Sequence, residues 1–233
     1  MTSATPRLLT TVVRGETYGG TTYHIEGELV PVLTVQIAPG KPVYFEHHIL
    51  LWKHPTVTVG IRSIKGLLKR AIAGMQVFIT EAQGSGSVAF SRDGPGQIIP
   101  LHMAAGESLE VREHQFLAAT GEIDYSYARV KGVANLLFGG SGFFIDRFHA
   151  RTGDGILWLH GYGNVFELVL AAGEVIDVEP GGWLYKDASV TMQSNVQRLS
   201  TGMFAAMNFT MNRFTGPGRL GVQSMYLHMP TEE

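Results

Sequence analysis

The sequence predicts an all-β protein: three tandem antiparallel β-sandwich-like repeats in a pseudo-threefold arrangement, with short helical turns. Three observations carry this expectation. Residues 132–148 (GVANLLFGGSGFFIDRF) have counterparts at a shift of 66 in either direction, in residues 66–80 and 200–214. Under that shift Gly66 meets Gly132, Gly74 meets Gly140, Phe204 meets Phe138, and Asn212-Arg213-Phe214 meet Asp146-Arg147-Phe148. An internal period of this size marks a repeated supersecondary unit. The second observation is that short apolar runs alternate with period two, as half-buried strands do. The third is punctuation by Gly and Pro between those runs, with 29 glycines in the chain.

Taken in order, residues 1–22 are expected to be a tail leading into the first strand, faintly like an organelle transit peptide in its Arg7 and Arg14. The first repeat spans residues 23–97. In it Leu33, Val35 and Ile37 alternate with polar partners, Pro39-Gly40 supplies the dihedrals of a type II turn, and Val43 and Phe45 continue on a return strand. The second repeat, residues 98–164, has the same hairpin around Gly106. The third, residues 165–233 with the C-terminal tail, has it around Gly173. These glycines are spaced by 66 and then 67 residues. Each repeat adds a second strand pair, at residues 50–61, 116–128 and 183–194. One or two helical turns follow, with Leu67, Leu68, Ala71 and Ile72 on one face. A Gly-rich turn and a strand close each unit. No charge run or flexible linker separates the units, which predicts one compact body. Because every copy presents the same edges to its neighbour, a pseudo-threefold assembly is the economical arrangement.

Composition narrows the function. With 45% hydrophobic and 16% charged residues the chain is globular, and part of its surface is expected to be covered by other subunits. A net charge of −2 offers no electrostatic footprint for nucleic acid. The chain has no Cys, so thiolate metal sites, cysteine nucleophiles and disulfides are excluded. No run is long and apolar enough to cross a membrane as a helix, and the cytoplasm is the expected compartment.

The chemistry-bearing residues give no constellation. His47 and His48 are neighbours, and on a strand they face opposite ways, so they do not make a cupin-like metal site with His54. His102, His149, His160 and His228 are isolated and read as hydrogen-bonded strand residues. The glycines of FGGSGFF lack the Lys-Ser/Thr of a phosphate loop. Arg62, Lys65, Lys69 and Arg70 form a basic face that could touch anionic lipid, although the bland reading is a solvated face. Glu46, Glu107, Glu113, Glu174 and Glu179 sit beside turns. No residue is assigned a catalytic, cofactor-binding or metal-binding role, and no cofactor is expected.

The hairpins carrying Ala38-Pro39-Gly40, Ala104-Ala105-Gly106-Glu107 and Ala171-Ala172-Gly173-Glu174, with GLLKRAIAG at residues 66–74 and LLFGGSGFF at 136–144, resemble a known family. It is the mitochondrial-biogenesis family called altered inheritance of mitochondria, member twenty-four, in its compact prokaryotic form, over residues 23–225. The third copy departs from the pattern, with Ala205-Ala206 in place of Gly-Gly. The resemblance implies a fold like that of the tryptophan RNA-binding attenuator protein, and no established reaction. Eukaryotic relatives are linked to organisation of the mitochondrial inner membrane. The expected function is a non-catalytic scaffold or interaction protein, a homo-oligomer that binds no nucleic acid. The alternatives are a small-ligand or membrane-surface binding module and, after these, a cupin-like metal-dependent enzyme using His47 or His48.

Overall fold

A computed structural model describes residues 4–9, 12–46, 48–62, 79–130, 143–198 and 208–225. The expected helical turns at residues 67–72, 133–138 and 199–204 lie outside the described residues. Everything regular within them is β-strand, joined in four antiparallel sheets.

The chain opens with β1 (Arg7–Leu8), β2 (Val13–Tyr18) and β3 (Thr21–Glu26). Three blocks of six strands follow. The first is β4 (Val32–Ile37), β5 (Val43–Glu46), β6 (Leu50–Lys53), β7 (Val57–Ile61), β8 (Ile79–Gly84) and β9 (Gly86–Phe90). The second is β10 (Gly96–Met103), β11 (Ser108–Arg112), β12 (Phe116–Thr120), β13 (Ile123–Val130), β14 (Phe143–Ala150) and β15 (Gly155–Tyr162). The third is β16 (Val165–Leu170), β17 (Val175–Val178), β18 (Trp183–Asp187), β19 (Thr191–Arg198), β20 (Asn208–Thr215) and β21 (Gly218–Gln223).

The same pairings are written in each block. The last strand lies between the first and third, as in β4-β9-β6, β10-β15-β12 and β16-β21-β18. The fifth lies between the second and fourth, as in β5-β8-β7, β11-β14-β13 and β17-β20-β19. Each block is therefore two three-stranded half-sheets facing each other. Successive blocks join half-sheet to half-sheet: β12 pairs with β5, and β18 pairs with β11.

The sheets consequently follow one another as layers with a core between each pair. The five-stranded sheet β2-β3-β4-β9-β6 packs Tyr23, Leu33, Val35 and Phe90 against Phe45, Leu117 and Trp158 of the six-stranded sheet. That second sheet, β10-β15-β12-β5-β8-β7, is covered on both faces. Along β15, Ile156 and Trp158 enter the first core and Leu157 and Leu159 the second. A strand with no solvent face reads as a continuous apolar run, and GILWLHGY is buried throughout. The seven-stranded sheet closes the second core with Leu109, Val111 and Tyr185, and opens the third with Leu168, Trp183 and Leu220. The three-stranded sheet β17-β20-β19 closes the third core with fully buried Phe214 and with partly buried Ile176, Val178 and Met192.

The turns that open the blocks are alike. Gly40, Gly106 and Gly173 have φ of 76°, 91° and 75°. Each follows a residue whose predecessor's carbonyl accepts the turn-closing hydrogen bond: Ala38 from Lys41, Ala104 from Glu107, Ala171 from Glu174. That is the i+2 position of a type II turn, which an L side chain occupies only under strain.

The N-terminal segment differs from the expected tail. β2 forms a hairpin with β3 through Gly19-Gly20, and β1 crosses to the third block, where Arg7 pairs with Glu167 and Leu8 with Phe166. The reason lies far along the chain, because these pairing partners come more than one block later.

Candidate functional site

Two features stand apart from plain packing. The first is a groove of about 370 Å³ between the N-terminal arm and strands β10, β16 and β21. Arg7, Glu16, His102, Glu167 and Arg219 line it with Val13, Ile99 and Leu101. Its polar groups are engaged: Arg7 with Glu167, His102 with Glu16, and Arg219 with Asp187 beside the groove. Arg7 Nη2 lies 2.6 Å from Glu167 Oε1, and the Tyr185 hydroxyl donates to Glu167 Oε2 at 2.6 Å. Burial, reinforced by the Glu167 carboxylate, pushes the Tyr185 hydroxyl well above its ordinary pKa, so it stays a donor. His102 stacks on Tyr18 with ring centroids 4.3 Å apart, lies 3.1 Å from the Tyr23 hydroxyl, and has Glu16 Oε1 3.3 Å from its Nε2. A planar stack beside a carboxylate suits an imidazole that latches the arm to β10.

The second feature is a pair of open strand edges. Where blocks join, the third strand of one pairs with the second strand of the block before it. Among the described residues, the third strand of the first block, β6, and the second strand of the last, β17, are each at the edge of their sheet. On β6, Leu51 and Trp52 are 51% and 52% exposed, whereas their counterparts on β12 and β18 are buried. Val175 at the start of β17 is exposed as well.

One joint already made inside the chain, between β11 and β18, shows a chemistry such an edge can use. Lys186 on β18 lies opposite Glu110 on β11, with Nζ 2.7 Å from Oε2 and the lysine side chain almost wholly buried. The Lys186 ammonium also donates to the Val190 carbonyl at 2.6 Å, and Arg147 holds Glu110 from its own block at 2.8 Å. Burial pushes the Glu110 carboxyl up, but Lys186 and Arg147 outweigh it, and its pKa ends below the usual carboxylate value.

The residues singled out from the sequence are scattered. His48 lies exposed with Nε2 3.8 Å from Glu46 Oε2, His54 Nδ1 is 2.6 Å from the Thr56 hydroxyl, and His47 lies outside the described residues. Among the described residues no three His, Asp or Glu side chains converge as a metal site would require. Arg62 pairs with Glu81 at 3.2 Å and lies over the Tyr44 ring at 4.0 Å; Lys65, Lys69 and Arg70 lie outside the described residues. His149 lies 2.8 Å from the Ser108 hydroxyl. His160 is buried, and burial followed by the Arg92 charge lowers its pKa to about 4. Sequence reasoning did not single out Trp52, Lys53, Asp177 or the His102 latch. For the first three a signal was present, in their distance from the turn glycines.

No helix among the described residues is long and apolar enough to cross a membrane. None of the curated proteins compared with the chain matches it. The crystal structure of a protein from Streptococcus pyogenes, SPYM3_0169, is similar with a TM-score of 0.67 at 19% identity, over 88% of this chain and 94% of that one. At that identity the likeness speaks for the fold. The family model described as mitochondrial biogenesis AIM24 matches residues 23–225, which take in all three blocks and most of β3. This chain therefore belongs to the mitochondrial biogenesis AIM24 family.

Proposed function

We propose that the protein is a non-catalytic scaffold or interaction protein that associates with itself and acts in the cytoplasm, its body made of three copies of one unit (residues 23–97, 98–164 and 165–233). The carrying observation is β6, an open sheet edge that displays Leu51 and Trp52 half-exposed. An uncovered edge with large apolar side chains is a template for strand pairing, and natural proteins blunt or cover such edges. Sedimentation velocity over a wide concentration range tests the reading. A species larger than one chain is expected, and a strict monomer at every concentration removes it. Cell fractionation checks the compartment.

Binding of a small polar ligand is a second reading, favoured by the groove that brings Arg7, Arg219, Glu16 and His102 together. Native mass spectrometry of protein from its own host would then show an added mass that His102→Ala loses. A membrane-surface role would use Lys69 and Arg70. Liposome flotation of the Lys69→Glu, Arg70→Glu variant decides it, because unchanged binding excludes that face.

A further inference from the structure

We propose that the open edge of β6 on one copy of this chain pairs with the open edge of β17 on a second copy, head to tail, in the register that already joins the blocks inside each chain. The proposal deepens the self-association reading above and rests on it.

Inside the chain, Ala118 pairs with Phe45 and Ala119 with Tyr44 at one joint. Tyr185 pairs with Val111 and Lys186 with Glu110 at the other. Phe45 and Val111 each lie five residues past their turn glycines, Gly40 and Gly106; Ala118 and Tyr185 each lie twelve past Gly106 and Gly173. Both joints therefore use one register. Applied to the open edges, it sets Trp52 opposite Val178 and Lys53 opposite Asp177.

Those residues match the β11–β18 joint, whereas the β5–β12 joint has Tyr44 and Ala119 at the same places. Lys53 occupies the place of Lys186, and it is held the same way: its ammonium donates to the carbonyl of Val57, four residues on, at 2.8 Å, as that of Lys186 does to Val190. Asp177 occupies the place of Glu110. It is gripped by Arg213 at 2.8 Å as Glu110 is gripped by Arg147, again from the adjacent strand of its own half-sheet. The joint between β11 and β18 is cemented by an acid on one strand and a lysine on the other. The two free edges carry the same acid and the same base, on the strands where that joint would put them.

Apolar packing agrees. Each internal joint sends its facing pair into a common core: Phe45 with Ala118 into the first, Val111 with Tyr185 into the second. Val178 is packed against the third core and only partly buried, and the exposed Trp52 is the side chain the register would place beside it. An interface of this kind is heterologous, because the two copies contribute different surfaces, so further copies can add to either end. Main-chain hydrogen bonds supply affinity, and the Lys53–Asp177 and Trp52–Val178 pairs supply register.

The chain's lack of cysteine makes the test direct. Lys53→Cys chains are mixed with Asp177→Cys chains and oxidised mildly. A disulfide-linked dimer formed by the mixture, and not by either variant alone, is expected. No cross-link in the mixture overturns the proposal. So does a Lys53→Cys, Asp177→Cys chain that oxidises to a looped monomer, which would mean that the edges close within one chain. A second measurement leaves the thiols out. Lys53→Glu and Asp177→Lys should each weaken association about tenfold or more, and the two changes in one chain should restore it. Association unaltered by either reversal would overturn the register. A chain that self-associates but fails both tests sinks this interface and leaves the broader reading standing, whereas a strict monomer sinks both.

Discussion

At the scale of single residues, two kinds of buried ionisable side chain stand out: those held in ion pairs and one that is tolerated only uncharged. Lys186 and Glu110 are of the first kind. Lys186→Ala leaves Glu110 with Arg147 alone and should cost about 2 kcal/mol, seen as a lower denaturation midpoint. Part of the Glu110 side chain remains exposed, so the loss stays below that of a wholly buried pair. His160 is of the second kind, with Tyr162 edge-on at 4.9 Å. Its folded pKa of about 4 lies below the ordinary 6.5, so between those values the unfolded chain holds a proton that the folded chain does not. Stability therefore falls as pH drops through this window, by about 3 kcal/mol at its lower end. The unfolding free energy of His160→Leu should fall by that much less between pH 7 and pH 4 than that of the unmodified chain, checked by denaturant titration at each pH.

At the scale of elements, the hairpin turns and the arm respond differently. A methyl group added at Gly40, Gly106 or Gly173 meets nothing within 4 Å, so only the positive φ opposes it. Each Gly→Ala change should cost about 1 kcal/mol, and the three should add nearly independently, checked by equilibrium unfolding. The arm acts through contacts instead. Removing residues up to Leu9 uncovers the edge of β16 and should speed amide exchange along Val165–Leu170 while leaving β12 and β15 protected. These turns were legible in the sequence because a Pro-Gly or Ala-Gly pair between alternating strands is a local signal. Strand positions were legible for the same reason, with Leu33, Val35 and Ile37 buried as their spacing implied. The arm was not legible. Arg7 and Leu8 find their partners on β16, and nothing near them in the chain announces it. Nor could the spacing of glycines say that β12 would complete the sheet begun by β5, since joints between blocks depend on edges rather than on turns. Lys53 and Asp177 went unnoticed because a lone lysine and a lone aspartate on short strands carry no motif. Their meaning came only from Lys186 and Glu110 at the corresponding places.

At the scale of the whole molecule, two of the three tryptophans, Trp158 and Trp183, are fully buried and Trp52 is half-exposed. If copies join through β6, raising the concentration should shift the emission of Trp52 to the blue. Trp52→Ser should abolish that shift and weaken association while leaving the unfolding of the single chain nearly unchanged. The arm has a different bearing, on the order of events during synthesis. Arg7 is synthesised 160 positions before its partner Glu167. A nascent chain must therefore carry β1 undocked until β16 has been made. Contacts so distant in sequence are slow to close, so a product stalled before β16 would present β1 unpaired to proteases.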